Sequence, residues 1–138
     1  MSTTVSHFTK GADTPYWEAL AQGALRLPRC RGCQQWHWPA VSRCSTCGSE
    51  EIDWFSVDLK GRIFSWIRTW QTFQGTEGLD TPFVTLLVEL PHAGNRRLMG
   101  VLEGAETGLA IGAEVVGRAA FTRCNGEDIP ALRWSLVP

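Results

Sequence analysis

A chain of 138 residues, 43% hydrophobic and 20% charged, fits one modest domain or a small metal module attached to a compact barrel, and leaves no room for a large enzyme core. Its formal net charge of −1 lacks the basic excess that accompanies phosphate-backbone binding, which ranks nucleic acid behind other ligands. Seven tryptophans are many for this length; tryptophan favours surfaces that become partly buried in interfaces, so part of this aromatic surface is expected to meet a partner.

Met1 to Lys10 are polar and carry no apolar h-region, and no later stretch has the length and unbroken apolarity of a membrane helix. A cytoplasmic protein without membrane contact is expected. Asp13 or Thr14 can cap a helix with Pro15 in its first turn, and Trp17, Leu20, Ala21 and Ala24 then fall on one face. Gly23 can end it. Residues 1–24 thus read as an N-terminal helical arm, whose apolar face either covers the rest of the fold or docks a partner protein. Leu25-Arg26-Leu27 then alternates like a short strand.

That strand delivers the chain to two matched pairs, Cys30-Arg31-Gly32-Cys33 and Cys44-Ser45-Thr46-Cys47. Each C-x-x-C pair can form a tight turn presenting two thiolates to one metal, and Gly48 supplies the backbone freedom that such a turn needs. Four thiolates complete a tetrahedral shell with no open position, so the metal is structural. Residues 25–54 read as this zinc ribbon. His37, in Gln34-Gln35-Trp36-His37-Trp38-Pro39, lies close enough to invite a ligand assignment, but four thiolates suffice and it is read as a neighbour of the shell or a surface residue. Trp36 and Trp38 are expected to pack against the small module, whose own apolar core is too limited for independent stability. Reduced cytoplasmic thiols favour metal over disulfides, and the leftover Cys124 reads as a buried small hydrophobe, with no histidine visibly paired to it as a base.

Residues 55–138 carry strands: Gly61 to Trp70, Phe83 to Leu90, Arg97 to Leu102, Glu114 to Arg123 and Ala131 to Val137. Five strands in this order fit an OB-type barrel, giving a mainly β fold of helical arm, ribbon and barrel. Strict alternation places Phe64, Trp66, Arg68 and Trp70 on one face of the first strand and Ile63 and Ile67 on the other. His92-Ala93-Gly94-Asn95 reads as the turn between the second and third strands, while Gly108, Gly112 and Gly117 offer bends or bulges. Gln74 to Thr81 reads as an exposed loop and a candidate interaction element.

A family resemblance rests on a succession of segments. These are Tyr16-Trp17-Glu18-Ala19-Leu20, Leu25-Arg26-Leu27-Pro28-Arg29-Cys30-Arg31-Gly32-Cys33, the aromatic segment ending at Pro39, Cys44-Ser45-Thr46-Cys47-Gly48, Gly61-Arg62-Ile63-Phe64-Ser65 and Ile111-Gly112-Ala113-Glu114-Val115. Together they cover nearly the whole chain, which resembles the acyl-CoA-associated family joining a rubredoxin-like zinc ribbon to an OB-fold. The resemblance implies an accessory acyl-CoA-binding subunit for a thiolase-like partner, either a thiolase or a retro-aldolase acting on a CoA thioester. The partner would do most of the chemistry, and no catalytic residue is assigned here. The resemblance also favours Zn2+ at Cys30, Cys33, Cys44 and Cys47, although four thiolates alone suit a rubredoxin-type iron centre as well.

An acyl-CoA needs cations for its phosphates, an aromatic surface for adenine and a narrow path for pantetheine. Arg68 beside Trp66 and Trp70 is the best local candidate, with Arg62, Arg96, Arg97, Arg118 and Arg123 as further phosphate partners. Two other readings stay open. One is a single-stranded nucleic-acid module stacking bases on Trp66 and Trp70, which the neutral charge opposes. The other is a structural partner-binding protein that never touches CoA.

Overall fold

The computed structural model describes residues 11–138; the polar stretch Met1–Lys10 at the start of the arm lies outside the described residues. Helix α1 (Thr14–Ala21) has Pro15 in its first turn, where a missing N–H costs nothing. The Asp13 carboxylate accepts the Trp17 indole N–H (3.0 Å) and caps no backbone group. The buried face is Tyr16 and Leu20, one turn apart. This corrects the expected face, because Trp17 and Ala21 are only half-buried and Ala24 lies exposed beyond the helix end. Termination comes from Gly23, which takes a left-handed φ of 90° and donates its N–H to the Leu20 carbonyl (3.0 Å). Tyr16 and Leu20 join the same buried cluster as Ile63, Leu86 and Trp134, so the helix covers this chain's own core. No helix among the described residues is long and apolar enough to cross a membrane.

Strand β1 (Arg26–Cys30) pairs antiparallel with β2 (Ile52–Ser56), in register from Arg26 opposite Ser56 to Cys30 opposite Ile52. The metal-ligating loop spans the interval between them. β2 carries no strand signal of its own, since its run Ile52-Asp53-Trp54-Phe55-Ser56 lacks a clean alternation and is stabilised by its pairing with β1. Arg31 clamps the pair with a two-pronged ion pair to Asp53 (2.8 and 3.1 Å).

The five expected strands are β3 (Lys60–Thr69), β4 (Phe83–Leu90), β5 (Arg96–Leu102), β6 (Glu114–Cys124) and β7 (Glu127–Leu136). They close a barrel in the order β3-β4-β5-β7-β6, with β6 returning to β3 and β5–β7 as the parallel pair. This is the five-stranded barrel expected of the OB class. Between β4 and β5 a 3-10 turn, Pro91–Ala93, is followed by Gly94 and Asn95, both left-handed. Gly117, read as a possible bend, instead makes room inside the barrel. A Cβ there would sit 2.7 Å from the Trp134 ring, and one on Gly100 would also lie 2.7 Å from it. Trp134, fully buried, is therefore wedged between two glycines on neighbouring strands.

One irregularity sets the chemistry of the outer surface. A register shift between Ile63 and Ser65 bulges β3 at Phe64. Past it, Trp66 pairs with Leu86 and Arg68 with Val84, both buried, so these two side chains point to the barrel's inner side with Ile63. Phe64 is left on the outer side under the Arg97 guanidinium (3.6 Å to the ring centre), while Ile67 turns outward opposite Thr85 and is 64% exposed. The expected single face of Phe64, Trp66, Arg68 and Trp70 against Ile63 and Ile67 is thus split, because one extra residue reverses the alternation of everything after it.

Candidate metal centre and aromatic face

The ribbon is built from two copies of one backbone turn. In the first, Cys30 donates its N–H to Gln35 (2.9 Å) and its carbonyl accepts from Gln34 (3.0 Å); in the second, Cys44 donates to Ser49 (2.8 Å) and accepts from Gly48 (2.9 Å). Gln34 and Gly48 occupy equivalent positions and both are left-handed, at φ 68° and 80°. Only the second uses the residue that adopts this conformation without cost; the first places an L-residue there, so no glycine marks it in the sequence. Backbone N–H groups also point at sulfur: Cys33 to the Cys30 Sγ (3.5 Å) and Thr46 to the Cys44 Sγ (3.4 Å).

The four sulfurs converge within 4.8 Å of one another, with Cys30 to Cys47 and Cys33 to Cys44 each at 3.5 Å. A zinc ion about 2.3 Å from each sulfur needs edges of roughly 3.8 Å, so the donor set and its spacing fit a closed tetrahedral site. Bound zinc supplies a four-way cross-link and no open coordination position. Cys30 and Cys44 are buried while Cys33 and Cys47 are exposed. The Cys44 thiol is pulled down to about 5, chiefly by hydrogen bonding from the Cys47 backbone; burial opposes this, and the Thr46 amide and His37 reinforce it.

His37 is buried, 4% exposed, and its Nε2 lies 3.3 Å from the Cys44 Sγ. It touches one of the four sulfurs and lies outside the cluster that they form. Its neighbours correct a second expectation. Trp36 and Trp38 pack against the cluster shared by helix and barrel rather than against the metal loop alone. Trp38 stacks on Tyr16 (4.3 Å between ring centres). Trp36 sits where a Cβ on Gly94 would come within 3.1 Å, and its carbonyl accepts from Arg96 Nε (2.9 Å).

The second candidate site is assembled as a cluster. Arg68 lies 5.3 Å from the Trp66 ring centre and 5.8 Å from that of Trp70, with Trp70 69% exposed. Arg68 is also ion-paired to Glu106, a partner no local pattern announced because it lies 38 residues away. Beside this pair a cleft of about 250 Å³ is lined by Asp80, Glu106, Phe83 and Val84. The other arginines are dispersed among their own partners: Arg62 and Arg97 on Glu89, Arg118 on Glu103, and Arg123 on Asp128. A larger cleft of about 560 Å³ brings Arg96 and Arg97 beside Trp17, Trp38 and Met99. The loop after Trp70 folds back on the β6–β7 turn, where Gly78 approaches the Arg123 backbone so closely that a Cβ would meet it at 2.7 Å. Cys124, half-buried, lies beneath this loop, 3.7 Å from where a Cβ on Gly75 would stand.

Comparison with known proteins agrees with this architecture. Residues 17–53 match the family model described as the ChsH2 rubredoxin-like zinc ribbon domain. The chain is 29% identical over 120 residues to a benzoylsuccinyl-CoA thiolase subunit, BbsA, of Thauera aromatica, spanning 85% of this chain and 80% of the relative. A solved structure described as an Ltp2-ChsH2(DUF35) aldolase superposes with a TM-score of 0.76 at 25% identity, covering 92% of this chain and 95% of that one. The fold also recurs in a DUF35-family protein of unknown function from Sulfolobus solfataricus, at a TM-score of 0.57 and 20% identity over 95% of this chain and 89% of that one. Residues 17–53 thus match a ChsH2-type zinc ribbon, joined here to a closed five-stranded barrel, and the chain as a whole is similar in fold to the ChsH2(DUF35) aldolase structure.

Proposed function

We propose that this chain is an accessory subunit of a thiolase-superfamily enzyme acting on a CoA thioester, stabilising the catalytic partner and shaping its substrate channel. The observation that carries the reading is its likeness to a thiolase subunit, which spans most of both chains. Two features of the molecule support it. The closed four-thiolate site leaves its metal nothing to do in turnover beyond holding the ribbon. Trp70 and Phe73 are exposed at and just beyond the end of β3, next to the partly exposed Trp66, an aromatic strip of the kind that anchors interfaces.

Acyl-CoA contact at Arg68, Trp66 and Trp70 is part of this proposal: the guanidinium would meet a phosphate and an indole would stack on adenine. Glu106 sets a condition on it, since Arg68 must leave that carboxylate to bind phosphate. The cleft between α1 and the barrel, with Arg96 and Arg97 beside Trp17 and Trp38, offers the same chemistry under a similar condition, since Arg97 is paired with Glu89 and Arg96 donates to the Trp36 carbonyl. The test is CoA-ester binding to the assembled complex carrying Arg68→Ala, Trp70→Ala, or Arg96→Ala with Arg97→Ala. Weakening by the first two supports the β3 site, and weakening by the last moves CoA to the helix cleft. If no variant changes affinity, the aromatic strip serves as a protein interface and this chain does not hold CoA.

A further inference from the structure

Trp36-His37-Trp38 runs alongside β1, fixed by an antiparallel bridge between Arg29 and Trp36 and by the His37 N–H on the Pro28 carbonyl (3.0 Å). Side chains alternate along such a segment. Trp36 and Trp38 therefore fasten to the helix–barrel cluster, and His37 between them is directed to the opposite side, at the sulfurs. A metal-bound thiolate has lone pairs and no proton, so the short Nε2 to Sγ contact requires His37 to be the donor, in the tautomer protonated at Nε2.

We infer that His37 is a positioning residue of the metal centre, whose Nε2–H bond to Cys44 ties the ribbon's buried sulfur to the segment that docks the ribbon on the barrel. It ligates nothing. By holding Cys44 in place it slows opening of the shell, and the two flanking tryptophans transmit barrel packing to the metal. This role is independent of which partner the chain serves.

The test uses zinc-loaded full-length protein in which His37 is replaced by phenylalanine, which keeps bulk and removes the donor, or by glutamine, which keeps a donor. Zinc transfer to a chromophoric chelator and the thiolate-to-cobalt absorption of the Co2+-substituted protein are recorded for each. His37→Phe is expected to release zinc about 10- to 100-fold more readily, the usual range for a hydrogen bond to a metal ligand, and to shift the cobalt band. His37→Gln is expected to stay within a few-fold of the parent. Unchanged release and spectrum in His37→Phe overturn the inference, as does equal weakening in both variants, which would mark a packing role. Should His37→Phe fail to fold, 113Cd-substituted parent protein decides by NMR. A cadmium-coupled, Nε2-bound proton on His37 supports the bond, and a ring protonated at Nδ1 alone overturns it.

Discussion

The two turns of the ribbon provide an internal comparison, because Gly48 and Gln34 do the same backbone work with different residues. In Gly48→Ala the new methyl meets nothing within 4 Å, so the cost is that of placing an L-residue at φ 80° alone, about 1–2 kcal/mol. In Gln34→Gly the same strain is relieved, less roughly 0.5–1 kcal/mol for the freer unfolded chain, leaving a small net gain. The turns must be formed for the thiolates to converge, so these energies pass into metal retention. At 1.4 kcal/mol per tenfold, Gly48→Ala weakens zinc retention about 5- to 30-fold, and Gln34→Gly holds it as well as the parent or up to about tenfold better. Competition with a chelator of known affinity reads both. Neutral behaviour of Gly48→Ala, or loss in Gln34→Gly comparable to it, would refute the equivalence of the two turns.

Inside the barrel, Gly117→Ala and Gly100→Ala each push a methyl to 2.7 Å from a Trp134 ring that the opposite glycine prevents from retreating. Each should cost about 1–3 kcal/mol by overpacking, visible in denaturant unfolding; parent-like midpoints would show that Trp134 is less confined. Metal removal should erase hydrogen-exchange protection at Cys30, Gln34, Cys44 and Gly48 while the β4 and β7 amides stay protected. Between Arg31 and Glu51 only His37 and Cys44 are buried, which leaves the loop little core of its own, and loss of protection throughout the barrel would contradict this. Acidification should release zinc, because protons compete with the metal for the thiolates. The Cys44 thiol is held below its ordinary value, so its contribution is complete above the ordinary thiol range and is lost as pH falls through the lowered value. Cys33, despite a lowering hydrogen bond from the Gln35 backbone, is pushed up by desolvation and the neighbouring thiols and protonates first. Zinc retention unchanged down to about pH 4 would contradict this.

The convergence of the four cysteines was legible because C-x-x-C spacing is itself the geometric requirement of such a cluster, and the barrel strands because their apolar alternation is the record of an inside and an outside. What escaped is non-local or conformational. The bulge at Phe64 leaves no mark in composition, yet it reverses the facing of Trp66, Arg68 and Ile67. Tyr16 displaces Trp17 on the buried helix face because Trp38, 22 positions on, offers it a stacking partner. Glu106 reaches Arg68 across the fold, and β2 forms because β1 supplies its partner. The orientation of His37 toward Cys44 depends on Trp36 and Trp38 docking elsewhere, which spacing along the chain does not encode.

The most direct test of the accessory-subunit reading is affinity capture of the full-length chain from its source cell, with mass spectrometry of what is captured and a CoA-ester cleavage assay on the recovered complex. A stoichiometric thiolase-like partner, whose turnover collapses when this chain is removed and returns when it is restored, is the predicted result. Full turnover by this chain alone, or recovery of nucleic acid without such a partner, would contradict it.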